Sequence, residues 1–227
     1  MDAATRAFRA EYTAGIARSY HGVLHGAWIL ALTLGLAGAA LWRSGGGIDV
    51  WLSLWAGLLV GHFGEWWLHK HALHRRRAGL AMLWHRHTVQ HHHYFTAEAM
   101  PIHAHRECRI VLFPAYAGVL LALIHAGSAW LWSLPFGAAA GYGYFAGGLL
   151  HYLAYEVFHF AAHLPDWPWL RRLPLINTVR RHHREHHRHE AMAHCNFSLT
   201  PPFADWCLGS CDRPRGLFAT LFGGDPR

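Results

Sequence analysis

Histidine is concentrated in four short stretches of the chain, of which the densest is HHREHHRHE at 182–190. Within it, His183, His186 and His187 stand at i, i+3 and i+4, so on a helix their imidazoles point to one side and can converge on a metal. The other stretches are HKHALH at 69–74, HRHTVQHHH at 85–93 and HFAAH at 159–163. Neutral imidazole is the commonest metal ligand in proteins, so the four groups together indicate a metal site.

The number of histidines indicates more than one metal ion. A zinc site uses three or four protein ligands, whereas these groups supply about ten histidines. We therefore predict two metals close together. Imidazole suits iron, zinc, copper and nickel, so the residue type alone does not name the metal.

The groups at 69–74 and 159–163 differ from each other in the spacing of their histidines. His159 and His163 are one α-helical turn apart. His69 and His74 are five positions apart, which is not one face of a regular helix. That pair requires the helix to end or the two side chains to serve different metals. We expect Glu65 to accept a hydrogen bond from a ligand imidazole and so fix its tautomer.

In the group at 85–93, the spacing does not decide which histidines are ligands. His87 and His91 are one turn apart and His92 is adjacent to His91, so two or three of them can converge. His85 and His93 are spare in this arrangement.

The composition indicates that membrane helices position these groups. Hydrophobic residues make up 53% of the 227 residues, charged residues only 15%, and there are 12 tryptophans. The net charge of +7 could indicate nucleic-acid binding, but the arginines flank apolar segments and no nucleic-acid module is recognisable. We therefore expect the membrane surface, and not nucleic acid, to be the anionic partner.

Apolar runs predict an all-α membrane protein with four transmembrane helices in two hairpins under a cytoplasmic, histidine-rich helical cap. Within the second hairpin we expect a turn at 125–135, in HAGSAWLWSLP. The chain is predicted to be a single integral-membrane domain over 1–227. Its segments are a leader (1–21), a first hairpin (22–67), a histidine segment (68–109), a second hairpin (110–158) and a cap and tail (159–227).

Charge sets the expected orientation. An even number of spans puts every Lys and Arg except Arg43 on one side, which the positive-inside rule makes cytoplasmic, together with both termini. The arginine-rich composition and the absence of an export signal predict a bacterial inner membrane protein.

The four cysteines are too few and too irregular for a disulfide framework, so we expect reduced thiols. A lipid chain could reach such a site from the apolar segments without entering water, which indicates oxidation of an unactivated carbon.

These motifs resemble the histidine boxes of the fatty acid hydroxylase and sterol desaturase superfamily of integral-membrane di-iron oxygenases, over about residues 64–210. EWWLHKHALH at 65–74 resembles the family's first box, HxxxxH. HTVQHH at 87–92 resembles the second box, but its spacing is HxxxHH where many members have HxxHH. YLAYEVFHFAAH at 152–163 resembles the family segment that supplies two further ligands. The last box, HxxHH, resembles HHREHH at 182–187, followed by the tail NFSLTPPFADWCLGS at 196–210.

The resemblance implies a centre of two iron ions, with zinc as a substitute, that uses dioxygen as co-substrate and two electrons. It implies a membrane lipid substrate and a separate electron donor protein. His182 also has helical spacing to His186, but the matched box favours His183. The implied metal ligands are His69, His74, His87, His91, His92, His159, His163, His183, His186 and His187.

Two questions remain open at this stage. Hydroxylation and desaturation begin with the same hydrogen abstraction, so the sequence does not separate them, and it does not name the lipid. The alternative function is a membrane zinc or nickel carrier or metal-buffering protein. A carrier should place its ligands near the bilayer midplane, whereas these groups lie in the polar segments.

Overall fold

The structure is a computed structural model that describes residues 1–224 and contains helices and no strands over that range. The last three residues of the predicted tail, 225–227, lie outside the described residues. The helices in the first half of the chain are α1 (Ala3–Ala14), α2 (Gly22–Ser44), α3 (Ile48–Leu68), α4 (Ala81–Trp84), α5 (His92–Tyr94) and α6 (Cys108–Val111). Those in the second half are α7 (Ala115–Phe136), α8 (Ala138–Ala162), α9 (Pro168–Arg171), α10 (Pro174–His186), α11 (Phe203–Cys207) and α12 (Leu217–Phe222).

Three short helices of other types interrupt this series. Two are π-helices, π1 (His69–Leu73) and π2 (His85–His91), and one is a 3₁₀ helix at His105–Glu107. π1 continues directly from α3, and π2 continues directly from α4 and leads into α5. A π-helix closes its hydrogen bonds from i to i+5, so it is wider than an α-helix and is often found at functional sites.

The predicted all-α fold is confirmed, and the four-span topology is confirmed in part. Four helices exceed 20 residues: α2, α3, α7 and α8. By length and composition, two segments can cross a membrane, Gly22–Ser44 and His105–Phe136, and within the second of these the long continuous helix is α7. The other two spans and the orientation in the membrane stay predictions.

The turn predicted at 125–135 is wrong. α7 runs through this segment to Phe136, and the chain turns at Gly137, which adopts a positive φ of 86°. The helix continues through Gly127 and Ser128, where the Ser128 hydroxyl donates to the Ile124 carbonyl at 3.0 Å within the same helix. Only glycine adopts a positive φ at Gly137 without strain, so the turn forms there.

The chain divides into two compact units. The histidine unit comprises residues 1–22, 65–112 and 157 onward, and the apolar unit comprises 23–64 and 113–156. This division does not test the prediction of a single integral-membrane domain. Every one of the ten predicted ligands belongs to the histidine unit.

Small residues let helices approach closely in the apolar unit. A Cβ atom added at Gly57, Gly143 or Gly147 would collide with the backbone of the facing helix, at Tyr144, Val50 and Leu54 respectively. The buried core of this unit is likewise alanine-rich, with Ala37, Ala40, Leu54, Ala122, Ala146 and Leu149. Such small-residue contacts are typical of helix packing in membranes.

Candidate metal centre

The ten predicted histidines come together as two clusters in the histidine unit. In cluster 1, one ring nitrogen from each of five residues lies within 4.8 Å of all the others: His69, His74, His87, His92 and His186. In cluster 2, the same holds for His91, His163, His183 and His187, and the Nε2 of His159 lies 3.3 Å from the Nε2 of His91. Whether these atoms bind metal stays a proposal, but the structure assembles the predicted set without omission.

The π-helices explain how the irregular spacings produce clusters. His69 and His74 are one π-helical turn apart, since the His74 amide donates to the His69 carbonyl at 3.2 Å in π1. Their Nε2 atoms lie 3.1 Å apart. In π2 and its continuation, His87 and His92 are also five residues apart, and their Nε2 atoms are 3.1 Å apart. The expectation that the regular α-helix ends before the 69/74 pair agrees with the end of α3 at Leu68, and the π-helix that follows puts i and i+5 on one face.

Neighbouring histidines contribute to different clusters. His91 belongs to cluster 2 and His92 to cluster 1, while His186 belongs to cluster 1 and His187 to cluster 2. The expectation that His183, His186 and His187 converge on one metal is therefore wrong in detail. Two of them, His183 and His187, meet in cluster 2 with Nε2 atoms 3.0 Å apart. The clusters touch where the rings of His92 and His187 stack, with centroids 4.2 Å apart.

Backbone carbonyls hold the outer nitrogen of five rings. The Nδ1 atoms of His91, His163 and His187 in cluster 2 face the carbonyls of Ile110 (3.2 Å), Met100 (2.9 Å) and Phe95 (2.7 Å). In cluster 1, the Nδ1 of His69 faces the Phe197 carbonyl, and that of His186 faces the Cys195 carbonyl at 2.9 Å. A carbonyl only accepts, so each Nδ1 carries the proton and each Nε2 presents its lone pair to the cluster.

Lone pairs that face one another make these clusters suitable for a cation. The Nε2 atoms of His91 and His187 are 3.2 Å apart, yet with both Nδ1 atoms protonated neither Nε2 can donate to the other. Neighbouring nitrogens on one ion should be about 3 Å apart when each metal–nitrogen distance is about 2.1 Å. The Nε2 contacts of 2.8 Å (His69 to His87) and 3.0 Å (His163 to His183) agree with that spacing. The donor set thus fits a metal ion in each cluster.

Burial keeps these rings neutral and ready to bind a cation. Burial, opposed by the hydrogen bond that His91 donates to the Ile110 carbonyl, lowers the pKa of His91 to about 3. Burial likewise lowers the pKa of His186 to about 4. The pKa of His74 lies far below its ordinary value because of burial and then the nearby His186. At neutral pH these imidazoles are therefore unprotonated, which is the form that binds metal.

His182 lies outside both clusters, which supports the choice of His183. The Nε2 of His182 is 3.1 Å from Oδ2 of Asp205, a carboxylate that is fully buried. His183 is also fully buried, and its Nε2 lies 3.0 Å from that of His163. His93 is exposed and packs its ring near Phe8, so it is not part of either cluster.

The sequence did not reveal the role of the acidic residues. Glu65 accepts from the backbone amides of Leu199 and Thr200 and from the Thr200 hydroxyl, so these contacts tie α3 to the NFSLT tail. Another buried carboxylate, that of Asp205, 140 residues further along, contacts the imidazole of His182. No local spacing could have found that contact, because it depends on the tail folding back beneath α10. That Glu65 accepts a hydrogen bond from a ligand imidazole stays a prediction.

Comparison with known proteins gives one match. A family model described as "Fatty acid hydroxylase" matches residues 54–210, which is more than half of the chain and includes all ten clustered histidines. Neither the curated proteins nor the solved structures contain a significant match.

Proposed function

Because the chain belongs to the fatty acid hydroxylase family, we propose that it is a membrane oxidoreductase that hydroxylates or desaturates an unactivated carbon of a lipid with two irons in its histidine clusters. The observation that carries this proposal is the pairing of two buried clusters, one of five imidazoles and one of four with His159 beside it, with a family match that spans both. The lipid, the choice between the two reactions and the electron donor protein are the parts that need experiment.

Cluster 1 would hold one ion through His69, His74, His87, His92 and His186, and cluster 2 the other through His91, His159, His163, His183 and His187. Two bound irons would supply redox chemistry in which dioxygen, two electrons and two protons convert a C–H bond to C–OH and release one water. Electrons would come from a separate donor protein. Zinc could occupy the same nitrogens but has no redox chemistry.

The chain's own residues prepare the site in two ways. The backbone carbonyls fix the tautomer and orientation of the rings that they contact, so those Nε2 lone pairs are aimed before any ion arrives. Burial excludes water from the ring nitrogens, since His163, His183 and His186 are all fully buried. A preorganised, dry set of neutral ligands is what an oxygen-using centre requires to avoid side reactions with water.

Membrane insertion would bring the lipid to the enzyme. We propose that α2, α3, α7 and α8 all cross the bilayer, with both termini and the histidine unit on the cytoplasmic side. α3 leads directly into π1, and His159 lies in the last turn of α8, so ligands lie where long apolar helices end. A substrate chain lying in the membrane would thus need no soluble carrier.

The test uses a pair of neighbouring histidines. The purified wild type should hold two irons per chain, His92→Ala should hold fewer, and His93→Ala, which changes an exposed histidine outside both clusters, should hold two. Cells that produce the wild type or His93→Ala should contain lipids heavier by one oxygen or lighter by two hydrogens, and these should be absent with His92→Ala.

Two results would contradict the proposal. One is a wild-type metal count below two in folded protein. The other is metal uptake by sealed vesicles with no oxygen-dependent lipid product, which would favour the carrier hypothesis.

A further inference from the structure

Each cluster takes its backbone carbonyls from a different part of the chain. The carbonyls that contact His69 and His186 of cluster 1 belong to residues 195 and 197, in the tail after α10. Those that contact His163 and His187 of cluster 2 belong to residues 95 and 100, in the loop after α5. The positions of these two histidines in each cluster therefore depend on what holds the corresponding segment, whereas His91 of cluster 2 is held separately by the Ile110 carbonyl.

One buried arginine holds the segment of cluster 2. The guanidinium of Arg9, from α1, donates to the carbonyls of Tyr94 (Nε, 2.7 Å), Pro101 (Nη1, 3.2 Å) and Ala99 (Nη2). The side chain is buried, with 8% of its surface exposed. These carbonyls alternate with those of residues 95 and 100, which face the imidazoles. A single planar guanidinium thus fixes the backbone on both sides of each of the two ligand-holding carbonyls.

One buried carboxylate holds the segment of cluster 1. Oδ1 of Asp205 accepts from the amide of Phe197 at 3.0 Å and from the Ser210 hydroxyl at 2.6 Å, and Oδ2 accepts from the amide of Ser198 at 2.7 Å. Burial alone would raise the pKa of Asp205, but the hydrogen bond from His182 and its other donors bring it below the ordinary value. The carboxylate is therefore charged at neutral pH. It fixes the peptide whose carbonyl, that of Phe197, faces His69.

We propose that Arg9 and Asp205 are positioning residues that act on separate metal clusters, Arg9 on cluster 2 and Asp205 on cluster 1. This inference rests on the proposed function only in that the clusters bind metal. The leader helix α1 is then part of the metal centre, although it precedes the first ligand by 55 residues and lies outside the family match.

The experiment measures metal per chain in full-length protein loaded with Fe²⁺. Wild type should hold two ions, and Arg9→Gln and Asp205→Asn about one each. The matched controls are Arg6→Gln, on the exposed side of α1, and Asp166→Asn, whose carboxylate is 47% exposed and pairs with Arg171. Both controls should keep two ions.

Double variants identify which cluster has lost its ion. Asp205→Asn combined with His69→Ala should still hold about one ion, because both changes act on cluster 1. Asp205→Asn combined with His163→Ala should hold about none. For Arg9→Gln the pattern should be reversed, with about one ion alongside His163→Ala and about none alongside His69→Ala. A general structural role would lower yield and stability, but it would not select one cluster.

Conservative variants cover the case in which a substitution prevents folding. Arg9→Lys keeps the charge but replaces the planar fork of guanidinium donors with a single compact ammonium, and Asp205→Glu keeps the carboxylate but displaces it. Each should weaken the affinity of one ion at least tenfold and leave the other unchanged. Unchanged counts, or equal loss from both clusters, in a protein whose wild type holds two ions would overturn the inference. A wild-type count below two would instead contradict the proposed function.

Discussion

Neighbouring residues His182 and His183 should fail in opposite ways when each is replaced by alanine. His183 points its Nε2 into cluster 2, 3.0 Å from those of His163 and His187. His182 points away from both clusters and contacts Asp205. Loss of His183 removes a proposed metal ligand, whereas loss of His182 removes one donor from a buried carboxylate that keeps its other donors.

The magnitudes follow from these contacts. A hydrogen bond to a buried charged group contributes about 1.5–3 kcal/mol, and His182→Ala also leaves a cavity, so we expect a loss of about 3 kcal/mol or more in the free energy of unfolding. His182→Ala should nevertheless keep two ions per folded chain, because the tail stays attached through Asp205. His183→Ala should hold about one ion, with a smaller change in stability when both proteins are measured without metal.

Two measurements on the same samples check this prediction: metal per folded chain, and denaturant unfolding of the metal-free protein in detergent. Equal metal loss from the two variants would show that the register of α10 is misassigned. Loss of metal from His182→Ala alone would exclude His183 as a ligand and refute the description of cluster 2.

Three further predictions concern metal removal, the pH dependence of stability and the reactivity of the cysteines. Chelation should lower the unfolding temperature, since each ion present at 100 times its Kd stabilises the fold by about 2.7 kcal/mol; an unchanged temperature would mean that metal binds without preference for the folded state. Burial lowers the pKa of His186 from 6.5 to about 4, so the unfolded chain binds this proton first and the metal-free protein should lose stability as the pH falls from 7 to 5, as unfolding titrations would show. At pH 8 an alkylating reagent should modify exposed Cys207 first, because burial raises the pKa of Cys195 to about 11 and of Cys211 to about 12; mass spectrometry of the labelled peptides would detect the opposite order.

The sequence was sufficient to predict which histidines come together and the helical class, for a physical reason. Ten imidazoles grouped at helical spacings form a local signal that does not depend on the tertiary fold. The division of labour between them was not predictable in the same way. Sequence spacing shows which residues share a face of an α-helix, but the π-helical segments change that rule, and nothing in HKHALH or HRHTVQHHH marks them as π-helices in advance.

Long-range contacts account for the rest of what sequence reasoning missed. Arg9 lay only within the predicted leader, 1–21, and Asp205 was part of the tail segment that resembles the family, without a role. Each acts on carbonyls or amides that are distant or non-periodic in sequence, such as the Tyr94 carbonyl, 85 residues from Arg9. A charged side chain with no local partner in an apolar chain is the one signal that could have marked them, since burial of a charge requires compensation elsewhere.

A single rule connects three of the four histidine groups once the helix types are known. Pairs one helical turn apart share a cluster: His69 with His74 and His87 with His92 across π-turns, and His183 with His187 across an α-turn. His91 and His186, the middle histidines of their boxes, cross to the other cluster. The extra residue in HxxxHH relative to HxxHH is therefore compatible with the same arrangement of histidines. The wider π-turn absorbs it, so His87, His91 and His92 repeat in cluster 1 the arrangement that His183, His186 and His187 make in cluster 2, with the clusters exchanged.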